Sequence, residues 1–167
     1  MGVRNYLIEG VSGTGKTSVA TELQQRCYHY QGDPQTGKPL DGSAHKQNIL
    51  DVTFGHEHHL WNVDKVKFLV TDQSHPISFF CGGSRNFHHF IDLFDGVFVL
   101  DVDLDTLKGR LARRPEDEFG GKPAEREVIV RLHATEEDIP KNATTIDATA
   151  PLASVVDDIL AKCREVD

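Results

Sequence analysis

Short apolar runs alternate along the chain with segments in which apolar residues recur at helical spacing. The runs around 6–8, 77–80 and 97–100 indicate strands with apolar cores, and the segments between them indicate amphipathic helices. The pattern predicts strands over 3–9, 76–81, 96–102 and 144–148, and helices over 19–27, 60–70, 84–94, 103–114, 125–137 and 151–160.

Turn-forming residues separate these elements. Residues 28–58 are the least regular part of the chain and contain several Gly- and Pro-bearing turns. Ser84 is predicted to cap the helix over 84–94, and Asp103 or Asp105 is predicted to cap the helix that follows.

Strands that alternate with helices predict an α/β fold. Right-handed crossovers then give a parallel sheet with helices on both faces, which is a three-layer sandwich. We expect one domain over 1–167 with a five-stranded parallel sheet. Ligands of such sheets bind at the carboxyl ends of the strands, so the residues that follow the strands are the candidates for function.

Composition narrows the classes of partner. Lys and Arg number 18 against 26 Asp and Glu, a formal charge of −8, which disfavours bulk binding of nucleic acid. No apolar run approaches the roughly 20 residues that span a bilayer, so we expect no membrane partner. Three cysteines without a Cys-x-x-Cys pair favour a reduced, cytoplasmic location. Nothing in the composition indicates the oligomeric state.

The strongest motif is a phosphate-binding loop between the first strand and the first helix. Residues 10–17 fit the pattern G-x-x-x-x-G-K-[ST] at every position, with a strand before them and a helix after them. Glycines let successive N–H groups point at one phosphate, and the helix adds the positive end of its dipole. Predicted ATP-binding residues are Gly10, Val11, Ser12, Gly13, Thr14, Gly15, Lys16, Thr17 and Ser18, with Lys16 on the β- and γ-phosphates and the Thr17 hydroxyl on Mg²⁺.

With this loop, the chain resembles the small phosphate-loop kinases, the group that includes adenylate kinase, shikimate kinase and gluconate kinase. The resemblance covers nearly the whole chain by order of elements rather than by identity. It is carried by the phosphate loop and by three further stretches, 81–86, 100–114 and 146–151.

The second of these stretches begins Cys-Gly-Gly-Ser-Arg. Nucleotide kinases have Asp-Gly-x-Pro-Arg there, and their arginine holds the phosphate of the acceptor, whereas shikimate kinases have a Gly-rich turn. The resemblance therefore implies that Arg85 binds the acceptor. It also shows that Cys81 stands where nucleotide kinases have an aspartate that helps to organise Mg²⁺.

The other two stretches imply the walls of the ATP site. By the resemblance, Arg110 lies over the adenine and Arg114 or Arg113 reaches the transferred phosphoryl group. Ala150 and Pro151 line the other side of the adenine.

Charge supports a lid over 110–131. From residue 108 to residue 131 seven Lys and Arg face five Asp and Glu, a net positive segment in an acidic protein. Gly120 and Gly121 are predicted to let the loop over 115–124 close and exclude water. Arg131, on the returning helix, is a further candidate for the site.

The acceptor is expected in the region over 28–62. Asp33 is the candidate to hold a Mg²⁺-bound water or to activate an acceptor hydroxyl, because shikimate and gluconate kinases place an aspartate near the end of the second strand. Asp72 is the weaker alternative. Trp61 is a candidate to stack on the acceptor, against an alternative role in core packing. The cluster over 56–59, with three histidines, favours a solvated helix start over an acceptor wall or a metal site.

These residues predict an ATP- and Mg²⁺-dependent kinase. It would move the γ-phosphoryl of ATP to a nucleoside, a nucleotide or a small hydroxylated metabolite, with Lys16, Arg110, Arg114 and Asp33 as catalytic residues. The hydroxyl acceptor is slightly favoured over the phosphate acceptor. Two alternatives stay open: a regulatory protein that binds nucleotide without phosphoryl transfer, and a simple ATPase that needs no acceptor.

Overall fold

The computed structural model describes residues 4–26, 29–30 and 61–165. Within them the chain forms strands β1 Arg4–Glu9, β2 His29–Tyr30, β3 Ile77–Cys81, β4 Gly96–Asp101 and β5 Thr144–Asp147, and helices α1 Lys16–Gln25, α2 Val63–Val70, α3 Leu104–Ala112, α4 Pro123–Thr135 and α5 Leu152–Arg164. None of the described helices is long and apolar enough to cross a membrane.

All the strand pairs are parallel, and the sheet order is β2-β3-β1-β4-β5. Strand β1 lies in the middle, with Ile8 paired to Cys81 of β3 on one side and to Phe98 of β4 on the other. Four strands have four to six residues, and β2 has two. The predicted α/β class with a parallel sheet is confirmed, and the phosphate loop leaves the carboxyl end of the central strand.

Both faces of the sheet are covered, which is why its strands are continuous apolar runs. Successive side chains point to opposite faces. Tyr6 and Ile8 belong to a core shared with α1, α3, α4 and α5, whereas Leu7 and Phe80 pack on the other side with Val66 of α2. The helices that carry the predicted ATP-site arginines therefore lie on the first of these faces.

The predicted helix over 84–94 is wrong. The chain there forms two short 3₁₀ turns, Phe87–His89 and Ile91–Leu93, separated by Phe90, whose φ of −142° is not helical. Ser84 does not cap a helix, and its hydroxyl bonds the Asn86 side chain instead. The aromatic spacing that suggested a helix reflects packing, because Phe90 stacks on Trp61 and meets Phe94 edge-on.

Candidate active site

The phosphate loop is curled by glycines that no other residue could replace without strain. Gly10, Gly13 and Gly15 have φ values of +148°, +95° and +103°, which L side chains rarely adopt. A Cβ at Gly10 would lie 2.6 Å from Thr14 Oγ1, inside the loop itself. The local sequence thus produces a backbone cradle of the predicted kind.

The first turn of α1 is open to an anion. Its N-cap is Gly15, which has no side chain to accept from the first N–H groups, and the turn carries no acidic residue. Thr17 and Ser18 are exposed there. Unsatisfied N–H groups and the positive end of the helix dipole therefore face the same point, which suits a phosphate.

Lys16 folds back over the loop. Its Nζ donates to the carbonyl oxygens of Gly10 and Val11, the second at 3.1 Å. Burial lowers the pKa of Lys16 to about 8, the carboxylate of Glu9 opposes that shift, and the charge of Arg114 adds to it. The ammonium is thus held at the cradle by weak carbonyl partners that anionic phosphate oxygens could replace.

Glu9, the last residue of β1, was not singled out from the sequence. It is 1% exposed, and the backbone N–H groups of Gly10 and Ser84 act to lower the pKa of its carboxyl. Burial raises its pKa well above the ordinary value, and Oε1 has no hydrogen-bond partner within the described part of the chain. The sequence signal that could have identified Glu9 as a site residue is its position between an apolar strand and a Gly-rich loop.

Two arginines of the α3 segment reach the phosphate loop. Arg110 donates to the carbonyl oxygens of Thr14 at 3.1 Å and of Ala148, beyond β5, at 2.8 Å. Arg114 donates to Ser12 Oγ at 2.7 Å and to the carbonyl oxygen of Phe119 at 2.5 Å. Arg110 thus ties the loop to the segment that precedes α5, and Arg114 ties it to the loop that follows α3.

The other predicted arginines lie elsewhere. Arg113 is exposed, and its side chain has no hydrogen bond or ion pair within 4–26 and 61–165. Arg131 is 63% exposed and lies 3.8 Å from Glu137. Of Arg113 and Arg114, the structure therefore brings Arg114 to the loop.

The predicted lid loop is packed against the start of α4. Arg126 donates to the carbonyl oxygens of Gly120 and Gly121, and Glu125 accepts from the N–H of Gly120 at 3.0 Å. A Cβ at Gly121 would overlap the carbonyl oxygen of Pro115. In this structure the two glycines thus permit close packing of the loop.

A cavity of about 490 Å³ opens from the phosphate loop toward the end of β3. Arg85 lies in its wall, and its guanidinium is paired with Asp138, with Nη1 3.0 Å from Oδ1. Asp138 was missed, because the pair joins residues 53 positions apart. The cavity is lined by Glu9, Gly10, Val11, Ser12, Lys16, Gly83, Ser84, Arg85, Glu116, Asp117, Glu118, Phe119, Lys122, Glu125, Leu132, Asp138 and Ile139.

Other predicted acceptor residues do not join this wall. Trp61 is 2% exposed, stacks on Phe90 with ring centroids 5.4 Å apart, and belongs to the core. Asp72 follows α2 and accepts from Ser74 N near the amino end of β3, the edge of the sheet opposite the phosphate loop. Asp33 and the histidine cluster over 56–59 lie outside the described residues.

The remaining predictions concern β-strand ends. Ala150 is half-buried against the core, and Pro151 is the exposed N-cap of α5. Cys81 is buried at the end of β3, and burial raises the pKa of its thiol, so the sulfur stays neutral. No group of three His, Cys, Asp or Glu among the described residues is arranged to hold a metal ion.

No protein-family model and no curated protein matches the sequence. Solved structures do match. A sugar kinase from Janibacter sp. HTCC2649 is 17% identical over 95% of this chain and 93% of its own, with a TM-score of 0.56. A gluconokinase from Sinorhizobium meliloti 1021 is 18% identical over 95% and 90%, also at 0.56. A deoxyadenosine kinase from M. mycoides is 13% identical over 98% and 100%, at 0.55. The chain therefore has the fold of the small phosphate-loop kinases.

Proposed function

We propose that the protein is an ATP- and Mg²⁺-dependent kinase that transfers the γ-phosphoryl group of ATP to a small-molecule acceptor. One observation carries the proposal. Lys16 and Arg114 converge on the phosphate loop at one end of a cavity large enough for a small molecule. A protein that only bound nucleotide would not need a second cation at the γ-phosphate end of the loop.

Each group of residues has a separate role in ATP binding or phosphoryl transfer. The N–H groups of the loop and of the first turn of α1 bind the phosphates, and Lys16 neutralises the β- and γ-oxygens. Arg114, which is bonded to Ser12 of the loop, would stabilise the charge that develops on the transferred group. Arg110 bridges the loop and Ala148 and would lie over the adenine. The predicted adenine contacts of Ala150 and Pro151, and any contribution of Arg113, stay part of the proposal.

The cradle also fits a Mg²⁺-bound triphosphate. The glycines curl the loop, and Thr17, exposed at the start of α1, would hold the ion through its hydroxyl. When bound, Mg²⁺ would neutralise charge on the β- and γ-phosphates. Asp33, outside the described residues, remains the proposed second contact on the acceptor side.

We assign two regions to the proposal. Residues 28–62 would hold the acceptor, and residues 110–131 would act as a lid that excludes water during transfer. The contacts of Arg114 to both Ser12 and Phe119 support the lid, because they join the first half of this segment to the phosphate loop through one guanidinium.

The test is ADP production from ATP and Mg²⁺ across a panel of nucleosides, nucleoside monophosphates, shikimate, gluconate and aminoglycosides. Wild type is compared with Lys16→Ala, Arg114→Ala and the control Lys108→Ala, which removes an exposed charge of α3. An acceptor-dependent signal that is lost in the first two variants and kept in the control supports the kinase. ATP binding without ADP favours a regulatory protein, and ADP formation that no acceptor changes favours an ATPase.

A further inference from the structure

The charge of Arg85 is already matched inside the cavity. Its Nη1 lies 3.0 Å from one oxygen of Asp138 and 3.2 Å from the other, and the Asp138 side chain is only 15% exposed. Arg85 comes from the turn after β3 and Asp138 from the segment after α4. The arginine that the resemblance assigns to an acceptor phosphate is therefore part of an ion pair across the cavity wall.

A second carboxylate stands beside this pair. Glu9 lines the same cavity as Arg85, and the charge of Asp138 adds to the rise of the Glu9 pKa. Glu9 is 1% exposed, lines the cavity and has an Oε1 without a partner within the described residues. It is thus a buried acceptor of hydrogen bonds with one position open.

Negatively charged side chains also outnumber positively charged ones in the cavity lining as a whole. Six carboxylates and three cations line the cavity. One of the cations, Lys16, serves the phosphate loop, and another, Arg85, is paired. The carboxylates of the loop at 116–118 are exposed members of the lining.

We infer that the acceptor is a hydroxylated molecule without a phosphate or carboxylate group, selected by Glu9 and the Arg85–Asp138 pair. This inference rests on the proposed kinase function and names the acceptor class of the same site. If Arg85 turned from Asp138 to an acceptor phosphate, the Asp138 carboxylate would be left without its cation beside that phosphate, in a wall where water screens charge poorly.

Hydroxyl groups fit the same wall. A hydroxyl can donate to the open Oε1 of Glu9 or to Asp138 and accept from the remaining N–H groups of Arg85. Such bonds use both members of the ion pair without separating them. A neutral sugar, a polyol or the sugar of a nucleoside presents hydroxyls in this way, whereas a nucleotide adds the charge that the wall repels.

The first experiment asks whether Asp138 keeps anions from Arg85. Inorganic phosphate is titrated calorimetrically into wild type, Asp138→Asn, Asp138→Ala, Arg85→Ala and the double variant Arg85→Ala/Asp138→Asn, each with a nonhydrolysable ATP analogue and Mg²⁺. The matched control is Glu137→Gln, which removes the same charge one residue away at an exposed position outside the cavity. The ATP analogue fills the phosphate loop in every variant, so differences in phosphate affinity between the variants report on Arg85.

We expect Asp138→Asn and Asp138→Ala to bind phosphate about tenfold more tightly than wild type, with the gain lost in the double variant and absent in the control. Having two replacements guards against one that fails to fold. Equal affinities in wild type and both Asp138 variants, or Arg85-dependent phosphate binding in wild type, would overturn the inference.

A second experiment compares acceptors that share a skeleton and differ by one anionic group, adenosine against AMP and sorbitol against gluconate. We expect the neutral member of any active pair to have at least about a tenfold higher kcat/KM, and a preference for the anionic member overturns the inference. Failure of the proposed function gives a different result, in which no acceptor supports ADP formation. The phosphate titration would still show whether Asp138 keeps phosphate from Arg85.

Discussion

The guanidinium of Arg114 donates to the hydroxyl of Ser12 across a separation of 102 residues, at 2.7 Å. Ser12 lies in the phosphate loop, and Arg114 lies just after α3, so the contact joins the nucleotide cradle to the start of the proposed lid. The same guanidinium nitrogen holds the carbonyl oxygen of Phe119 further along that segment. An arginine in this position can contact a phosphate at the loop and the proposed lid at the same time.

Replacing Arg114 by alanine is expected to lower kcat of the acceptor-dependent reaction about 10²–10³-fold, because a preorganised cation is lost where charge develops. The neighbouring Arg113→Ala is the matched control, since Arg113 is exposed and its side chain makes no hydrogen bond or ion pair within the described residues. Its effect is expected to stay within about threefold. Steady-state ADP release measures both, and equal losses in the two variants would contradict the assignment.

The affinity for a nonhydrolysable Mg·ATP analogue is expected to fall as the pH rises above about 8. Burial lowers the pKa of Lys16 to about 8 in the free protein, and bound phosphates would raise it again. Binding therefore takes up a proton between the two pKa values, and the affinity drops by up to about tenfold per pH unit. The phosphates themselves are already fully ionised there, since their second pKa is about 6.

Calorimetric titrations of the analogue from pH 7 to pH 10 measure this dependence. Lys16→Arg is the control, because its guanidinium stays protonated throughout the range. A wild-type profile as flat as that of Lys16→Arg would show that Lys16 does not meet the phosphates as a titrating cation.

Replacement of two glycines by alanine is expected to change the free energy of unfolding in opposite directions. Gly121→Ala pushes a Cβ into the carbonyl oxygen of Pro115, and we expect a loss of about 1–3 kcal/mol in the free energy of unfolding. Gly109→Ala, in the interior of α3, meets nothing within 4 Å and is expected to gain about 0.5–1 kcal/mol. Urea denaturation measures both. A neutral Gly121→Ala would mean that the loop at 115–121 repacks freely.

Trp61 is the single tryptophan of the chain, so its fluorescence reports one place. Because the indole is 2% exposed and stacked on Phe90, we expect iodide and acrylamide to quench it weakly. Trp61→Ala is expected to cost about 3–5 kcal/mol of stability as a core truncation. Strong quenching of Trp61 by a bound acceptor would instead restore the prediction that it stacks on the substrate.

The sequence was sufficient for the features that depend on neighbouring residues. The phosphate loop is one contiguous segment whose glycines set its own φ values, so its curl and the following helix could be predicted from spacing alone. The parallel sheet followed in the same way, because strands buried on both faces are recognisable as apolar runs. The 3₁₀ turns around Phe90 escaped prediction, since tertiary packing of the aromatic rings, and not a helical period, sets that spacing.

Relations between distant segments were decided by the tertiary structure. Arg113 and Arg114 are equal candidates in sequence, and only the end of α3, with Arg113 as its C-cap, turns Arg114 toward Ser12. Arg85 is a phosphate ligand by resemblance, and only the approach of the segment after α4 gives it Asp138 as a partner. Charge acts through space over a few ångströms, whereas a motif acts along the chain, so the sequence determined where a phosphate can bind and the fold decided which charges surround its acceptor.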